Sequence, residues 1–364
     1  MDLRHVTVPK EMLTSISENR RYNEVIAGYY SRLIGESSVS QKKTLSNNLE
    51  SLNDCNRLWF LDQYSKAKVK DFKKTNLCKD KFCSNCKKVK QASRMARFMP
   101  VIQEQLKVHP NAYQMVLTVP NVPGKELEKT IKKMSKAYSM MNQYLQGKRK
   151  AKDLPFDIGF VGAIRTLEIT YKGDSYHPHF HVLLVLDKDL GEKKYTNTYS
   201  HDRYKRRETR YFSEMEIMIQ KLWKMLYEGV RVTKANFDLL EIGYSSMIDQ
   251  MNEGDYLELF KYMVKGETED KKFMSYEQFK ILIVALKSVR QIQGYGVFHS
   301  IQDDDSIDDM VDKLYDSMIE ELQKQENPEA VWETVQDLRD DQEYTLISRK
   351  RIFNHLKNTM REDT

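Results

Sequence analysis

The sequence predicts an α+β fold, and three observations carry the prediction. Between about Val161 and Leu186 two β-prone segments flank Lys172-Gly173-Asp174-Ser175, a turn-rich linker that makes them a natural hairpin. Elsewhere apolar residues recur at helical intervals, as in Met215, Ile219, Leu222 and Leu226. The chain has 364 residues, about twice a common domain length, so there is room for two or three domains and a sizeable core.

Composition narrows the class. Hydrophobic residues make up 40%, aromatic residues 10% and charged residues 31%, the balance of a globular protein rather than a disordered or membrane-embedded one. No apolar run approaches the roughly 20 residues that span a bilayer. The start, MDLRHVTVPKEML, lacks the apolar stretch of a secretory signal, so the expected compartment is the cytoplasm. The net charge of +6 hides an asymmetry: Ile301 to Thr345 holds 16 Asp and Glu against 3 Lys and Arg, leaving the rest of the chain at +19. Basic stretches at Lys87 to Arg97, Lys148 to Lys152 and Arg203 to Arg210 are suited to neutralising phosphates and releasing their counterions. One such stretch is ordinarily a solvated face, whereas three in one chain favour a nucleic-acid partner.

The elements follow in order. Residues 1 to about 50 are polar, with a helix-like segment at Tyr22 to Ile34 and no interpretable motif. All four cysteines fall between Ser51 and about Pro100. Tyr113 to Val119 reads as a strand closed by Pro120-Asn121-Val122-Pro123-Gly124, after which a charged helix runs to about Lys150. The hairpin comes next, then a helix from Ser213 to Tyr227, a second from about Asp255 to Lys265, and a strand-like Val289 to Phe298 that can complete the sheet. Met310, Leu314, Met318 and Leu322 mark a helical appendage in the acidic segment. Three regions result: 1–104, helical and Cys-rich; 105–300, carrying the hairpin; and 301–364, acidic and helical.

The hairpin's second strand holds the most informative residues, His177-Pro178-His179-Phe180-His181, followed by Val182-Leu183-Leu184-Val185-Leu186. Strand side chains alternate, so His177, His179 and His181 share one face while Phe180, Val182, Leu184 and Leu186 share the other. If Gly173 and Asp174 centre the turn, Lys172 pairs with Ser175 and Glu168 falls opposite His179. His179, His181 and Glu168 then form a two-histidine, one-carboxylate site suited to Mg²⁺ or Mn²⁺, with zinc as an alternative occupant. Eight histidines in 364 residues give roughly 0.2 His-x-His pairs by chance, so one pair is weak and two overlapping pairs are not. The bland reading is a strand of exposed histidines with no ligand.

On the helix from Asp255, Glu258 and Tyr262 lie four residues apart with Lys265 three further on, and they share a face. A tyrosine can attack a phosphodiester and hold one end of the broken strand covalently. Its phenol has an ordinary pKa of about 10, so a neighbouring metal and Lys265 would assist, and Glu258 could serve as a general base for a later cleavage. Without the histidine strand, a surface helix with a packed tyrosine is the simpler reading. Cys83 and Cys86 form a C-x₂-C pair with Cys78 five residues earlier and Cys55 upstream. The four read either as a structural zinc site or as reduced, redox-active thiols. Lys79, Lys81, Lys87 and Lys88 around them favour thiolates.

Taken together, these residues resemble the replication initiators of small Gram-positive rolling-circle plasmids, within the HUH endonuclease superfamily. The resemblance covers roughly residues 50 to 300. It rests on Leu117-Thr118-Val119-Pro120-Asn121, on Leu167-Glu168-Ile169-Thr170 with the histidine strand, on Glu258-x-x-Lys261-Tyr262-x-x-Lys265, and on Cys78-x₄-Cys83-x₂-Cys86. It implies an antiparallel sheet flanked by helices, with 105–300 as the nicking domain. It further implies binding of a double-strand origin, cleavage of one strand with a 5′-phosphotyrosine on Tyr262, termination assisted by Glu258, and a host helicase and polymerase as partners. The acidic C-terminal segment has no counterpart in it. Two other readings stand beside it: a relaxase or transposase of the same superfamily, and a zinc-stabilised DNA-binding regulator without catalysis.

Overall fold

The computed structural model describes residues 10–55, 59–64, 69–75, 78–201, 206–241, 246–251, 274–299, 331–335 and 345–348. They fall into two compact units, one of residues 1–92 with 303–364 and the other of residues 93–302. Among the described residues, no helix is long and apolar enough to cross a membrane.

The first unit contains helices α1 (Lys10–Glu36) and α2 (Val39–Asn53), strands β1 (Trp59–Tyr64) and β2 (Val69–Thr75), and the start of α3 (Ser84–Val108). Its other strands come from the acidic segment: β11 (Val331–Val335) pairs antiparallel with β1, and β12 (Thr345–Ser348) pairs parallel with β2. The two ends of the chain therefore build one sheet, in the order β11-β1-β2-β12. Met310 to Leu322, expected as a helix, lies outside the described residues.

The second unit is built on an antiparallel sheet flanked by helices, as the resemblance implied. Its strands are β3 (Asn111–Thr118), the short β4 (Val122–Pro123), β5 (Phe160–Lys172), β6 (Ser175–Leu186), β9 (Ser246–Gln250) and β10 (Ile292–Gly296). They run in the order β10-β5-β6-β3-β9, with β4 on the end of β6. The expected strand near Val289 to Phe298 is thus the sheet's edge, against β5. A separate two-stranded ribbon, β7 (Tyr195–His201) and β8 (Arg206–Phe212), carries much of one basic stretch.

One face of this sheet is covered along its length. There α4 (Gly124–Leu145) and α5 (Glu214–Glu228) place Tyr138 and Trp223 edge-on against Phe180, at 5.8 and 6.2 Å between ring centres. The start of α5 is specified locally: Ser213 and Glu216 exchange hydrogen bonds as a capping box. Its end is Gly229 in the left-handed conformation, where a side chain would be strained. Beyond it lie α6 (Lys234–Asp238) and α7 (Tyr276–Ala285), the latter against α4.

On the opposite face α3 packs over one end. Phe98, Met99 and Ile102 of α3 pack with Ala112, Ile164, Leu183 and Val185. These strand residues are in phase with the histidines, so one face changes from apolar beneath α3 to polar at the β5–β6 turn. At the sheet edge, a Cβ on Gly294 would run into the Phe298 carbonyl. Replacing Gly294 by alanine should therefore cost about 3 kcal/mol, the scale of an overpacked core site, and lower the thermal midpoint by roughly 5–10 °C. A midpoint unchanged by scanning calorimetry would contradict that close approach.

Candidate functional site

The β5–β6 hairpin sets the geometry of the site. Gly173 adopts φ +59°, and Asp174 accepts a hydrogen bond from the Gly124 backbone at 3.0 Å, tying the turn to the start of α4. Lys172 pairs with Ser175, so Glu168 stands opposite His179 and Thr166 opposite His181. On the other side β3 places Thr118 beside His179 and Val116 beside His181, and the Thr118 carbonyl accepts from the Trp223 indole at 2.9 Å. A strand flanked on both sides leaves little freedom in register, because a one-residue slip would turn the histidines into the core.

Glu168, His179 and His181 converge. One carboxylate oxygen of Glu168 lies 2.9 Å from His179 Nε2 and 2.8 Å from His181 Nε2, and all three residues are buried. Burial would push the Glu168 carboxyl up, but hydrogen bonds from the two rings outweigh it and hold the group down at about 2. His177 lies outside the convergence: its ring stacks on His179 at 5.0 Å, and burial, then the neighbouring His179, keeps it below the usual histidine range.

The donor set fits a metal ion. His179 Nδ1 is 3.2 Å from the His177 carbonyl, which can only accept, so Nδ1 carries a proton. With an ion bound, the ring's Nε2 would offer its lone pair to the ion in place of the hydrogen bond it gives Glu168 without one. A hydrogen bond that fixes the ring tautomer in this way is the usual support of a metal-binding histidine. Two imidazoles and a carboxylate at one end of an otherwise apolar face could hold a divalent ion.

A second donor cluster lies in the first unit. Sγ of Cys55 is 3.4 Å from that of Cys83 and 3.6 Å from that of Cys86, and Cys78 Sγ is 3.5 Å from Cys86. These separations exceed a disulfide's roughly 2.05 Å and approach the about 3.8 Å between sulfurs in a tetrahedral zinc site with bonds of about 2.3 Å. Hydrogen bonds from Cys55, with Cys78, push Cys83 and Cys86 towards thiolate. Backbone amides add to this: Lys79, held at φ +59°, donates to Cys86 at 3.2 Å, and Asp80 donates to Cys78 at 3.4 Å. The Lys87 ammonium is buried nearby, and that burial lowers it to about 8. The four thiols could hold one metal ion.

The first helix, which had no motif, turns out to support this cluster. Asn23 donates to Cys83 Sγ at 3.2 Å and accepts from the Ser84 amide at 3.0 Å, while Tyr30 donates to Asp80 at 2.6 Å. Sixty residues separate Asn23 from Cys83, and no local pattern announces such a contact. Glu258, Tyr262 and Lys265 lie outside the described residues, as does the helix expected around them.

Comparison with known proteins gives the affiliation. A family model described as "Replication protein" matches residues 69–345. A protein named "Protein rep" from Staphylococcus aureus is 34% identical over 188 residues, covering 49% of this chain and 72% of that protein. Another of that name, from Lentilactobacillus hilgardii, is 28% identical over 252 residues, covering 65% of this chain and 68% of its own. A third, from Streptococcus pneumoniae serotype 2, is 28% identical over 113 residues, and this chain spans 32% of its length. No solved structure matches the chain. The resemblance read from the motifs is borne out at the level of the family: the chain belongs to the replication-protein family.

Proposed function

We propose that this replication protein starts rolling-circle replication of a plasmid by binding the double-strand origin and cutting one strand through a tyrosine. The observation that carries the reading is the convergence of two imidazoles, His179 and His181, on one carboxylate oxygen of Glu168, on the sheet face whose other end packs under α3. Family membership supports it, since a protein acting in replication must engage DNA, and the basic stretches suit that partner.

Glu168, His179 and His181 would hold Mg²⁺ or Mn²⁺, which when bound polarises the scissile phosphate. The His177 carbonyl would hold the His179 ring oriented for that ion. In the cutting step the Tyr262 phenol loses its proton and its oxygen bonds to phosphorus. The bond from phosphorus to the 3′ oxygen breaks, and that oxygen takes up a proton to become the free 3′-hydroxyl primer. Lys265 favours the phenolate. At termination Glu258 accepts the proton of a water or a second 3′-hydroxyl, so that this cleavage forms no new tyrosine adduct. The four cysteines, Cys55, Cys78, Cys83 and Cys86, would hold a structural Zn²⁺. A host helicase and a host polymerase are the partners this cycle calls for.

The test is to incubate the full chain with a supercoiled plasmid carrying its origin and Mn²⁺, and to look for nicked circles bearing denaturation-resistant protein. The adduct should map to Tyr262 by mass spectrometry and vanish with Tyr262→Phe. Duplex binding with no nick and no adduct on a verified origin would favour the zinc-stabilised regulator instead.

A further inference from the structure

A basic cleft of about 610 Å³ opens in the second unit at the C-terminal ends of α4 and α5. Two segments some 80 residues apart in sequence line it: the connection after α4 brings Arg149, Lys150 and Lys152, and the connection after α5 brings Arg231 and Lys234. Asp153 is the one acidic residue in the lining. Lys234 pairs with Asp238 at 2.6 Å, whereas among the described residues Arg149, Lys150, Lys152 and Arg231 have no carboxylate partner. Five cations around one cleft repel each other, and a polyanion relieves that repulsion.

We propose that this cleft grips the phosphate backbone of duplex DNA, outside the nicking centre; the proposal rests on the origin-binding reading above. Both rims are ordered before any ligand arrives. Gly147 at φ +68°, Asp153 at φ +61° and the Ala151–Leu154 bridge hold the first as a tight turn. On the second, the Asn236 side chain donates to the Arg231 carbonyl at 2.9 Å, and Thr233 caps α6. Side chains presented from fixed backbone lose less freedom on binding.

The lining selects duplex over single strand. Single-strand grooves offer exposed aromatic rings on which bases stack. Here the one aromatic residue in the lining is Tyr144, buried and with the Arg149 guanidinium 5.6 Å from its ring centre. The cleft also lies at the far end of α4 from the hairpin turn, about 30 Å away for a 22-residue helix. It lies on the helix-covered side of the sheet, away from the triad, so DNA held there is not the strand being cut.

The experiment measures binding of the full chain to a labelled 30-base-pair duplex of arbitrary sequence and to a 30-nucleotide single strand, between 50 and 200 mM salt. Removing one cation from the phosphate backbone lowers the logarithmic salt slope by about 0.9. The variant Lys150→Gln/Lys152→Gln/Arg231→Gln should therefore bind duplex with a slope shallower by about 2 to 3 and an affinity some 10- to 100-fold lower. The charge-preserving Lys150→Arg/Lys152→Arg/Arg231→Lys should keep the wild-type slope. If the triple glutamine variant melts early, Lys150→Gln/Lys152→Gln on the one turn should still lower the slope by about 2. An unchanged slope, loss of single-strand binding instead of duplex binding, or no duplex binding by the wild type would each overturn the proposal. The adduct assay on the origin plasmid separates the two readings: a wild type that binds duplex through the cleft but forms no adduct leaves the cleft standing and removes the nicking function.

Discussion

Replacing His179 and His181 together by alanine should lower origin nicking by about three orders of magnitude. The reason is the loss of the imidazoles that would share a metal with Glu168, since a bound ion contributes several kcal/mol to a phosphoryl transition state and each decade in rate is about 1.4 kcal/mol. The double variant also leaves the buried Glu168 carboxyl without the hydrogen bonds that hold it at about 2, so burial should raise it towards the neutral acid, which binds metal poorly. Nicking should be measured at saturating Mn²⁺ beside Mn²⁺ binding by calorimetry and the thermal midpoint. Loss of both nicking and metal binding with the midpoint within a few degrees is the expected result. Nicking within tenfold of the wild type would mean that the triad is a structural ion pair and the chemistry lies elsewhere.

The second large effect concerns the cysteines. With Cys83→Ser and Cys86→Ser, or after chelation, the first unit should lose its fold while the second keeps its own. Structural zinc in small domains contributes apparent free energies of about 10–16 kcal/mol, as much as the whole stability of a typical domain, about 5–15 kcal/mol. The interactions that would go are specific: Asn23 to Cys83, the Lys79 and Asp80 amides to the sulfurs, and through them the packing of Tyr22, Ile26 and Tyr30. Wild-type protein should carry one zinc per chain by elemental analysis, and limited proteolysis of the variant should clip residues 1–92 while sparing 93–302. Zinc-free wild-type protein that resists protease would show that the four thiols are held by packing alone.

The hairpin and its site were legible because their determinants are local. Gly173 and Asp174 set the turn, the turn sets the register, and period-two alternation then puts Glu168 beside His179. The helix from Ser213 was legible for the same kind of reason, with its cap and apolar stripe both within a few residues. The first helix was visible in part as Tyr22 to Ile34, but not what it is for: Asn23 matters through a sulfur 60 residues away. The strands β11 and β12 were also missed. Their segment is acidic and carries helical spacing upstream, while their pairing with β1 and β2 depends on residues more than 250 positions distant.

Local pattern was enough to establish the chemistry available to this protein: which donors stand together on the histidine strand, that four thiols occur in one region, and that the chain belongs with replication proteins. Where that chemistry sits in the molecule was settled only by folding. Leu183 and Val185 share a face with His179 and His181, and only the docking of Phe98, Met99 and Ile102 over one end makes that end the apolar core. Alternation fixes a side chain's face, but what covers the face is set by elements that arrive from far along the chain, and local spacing holds no record of them.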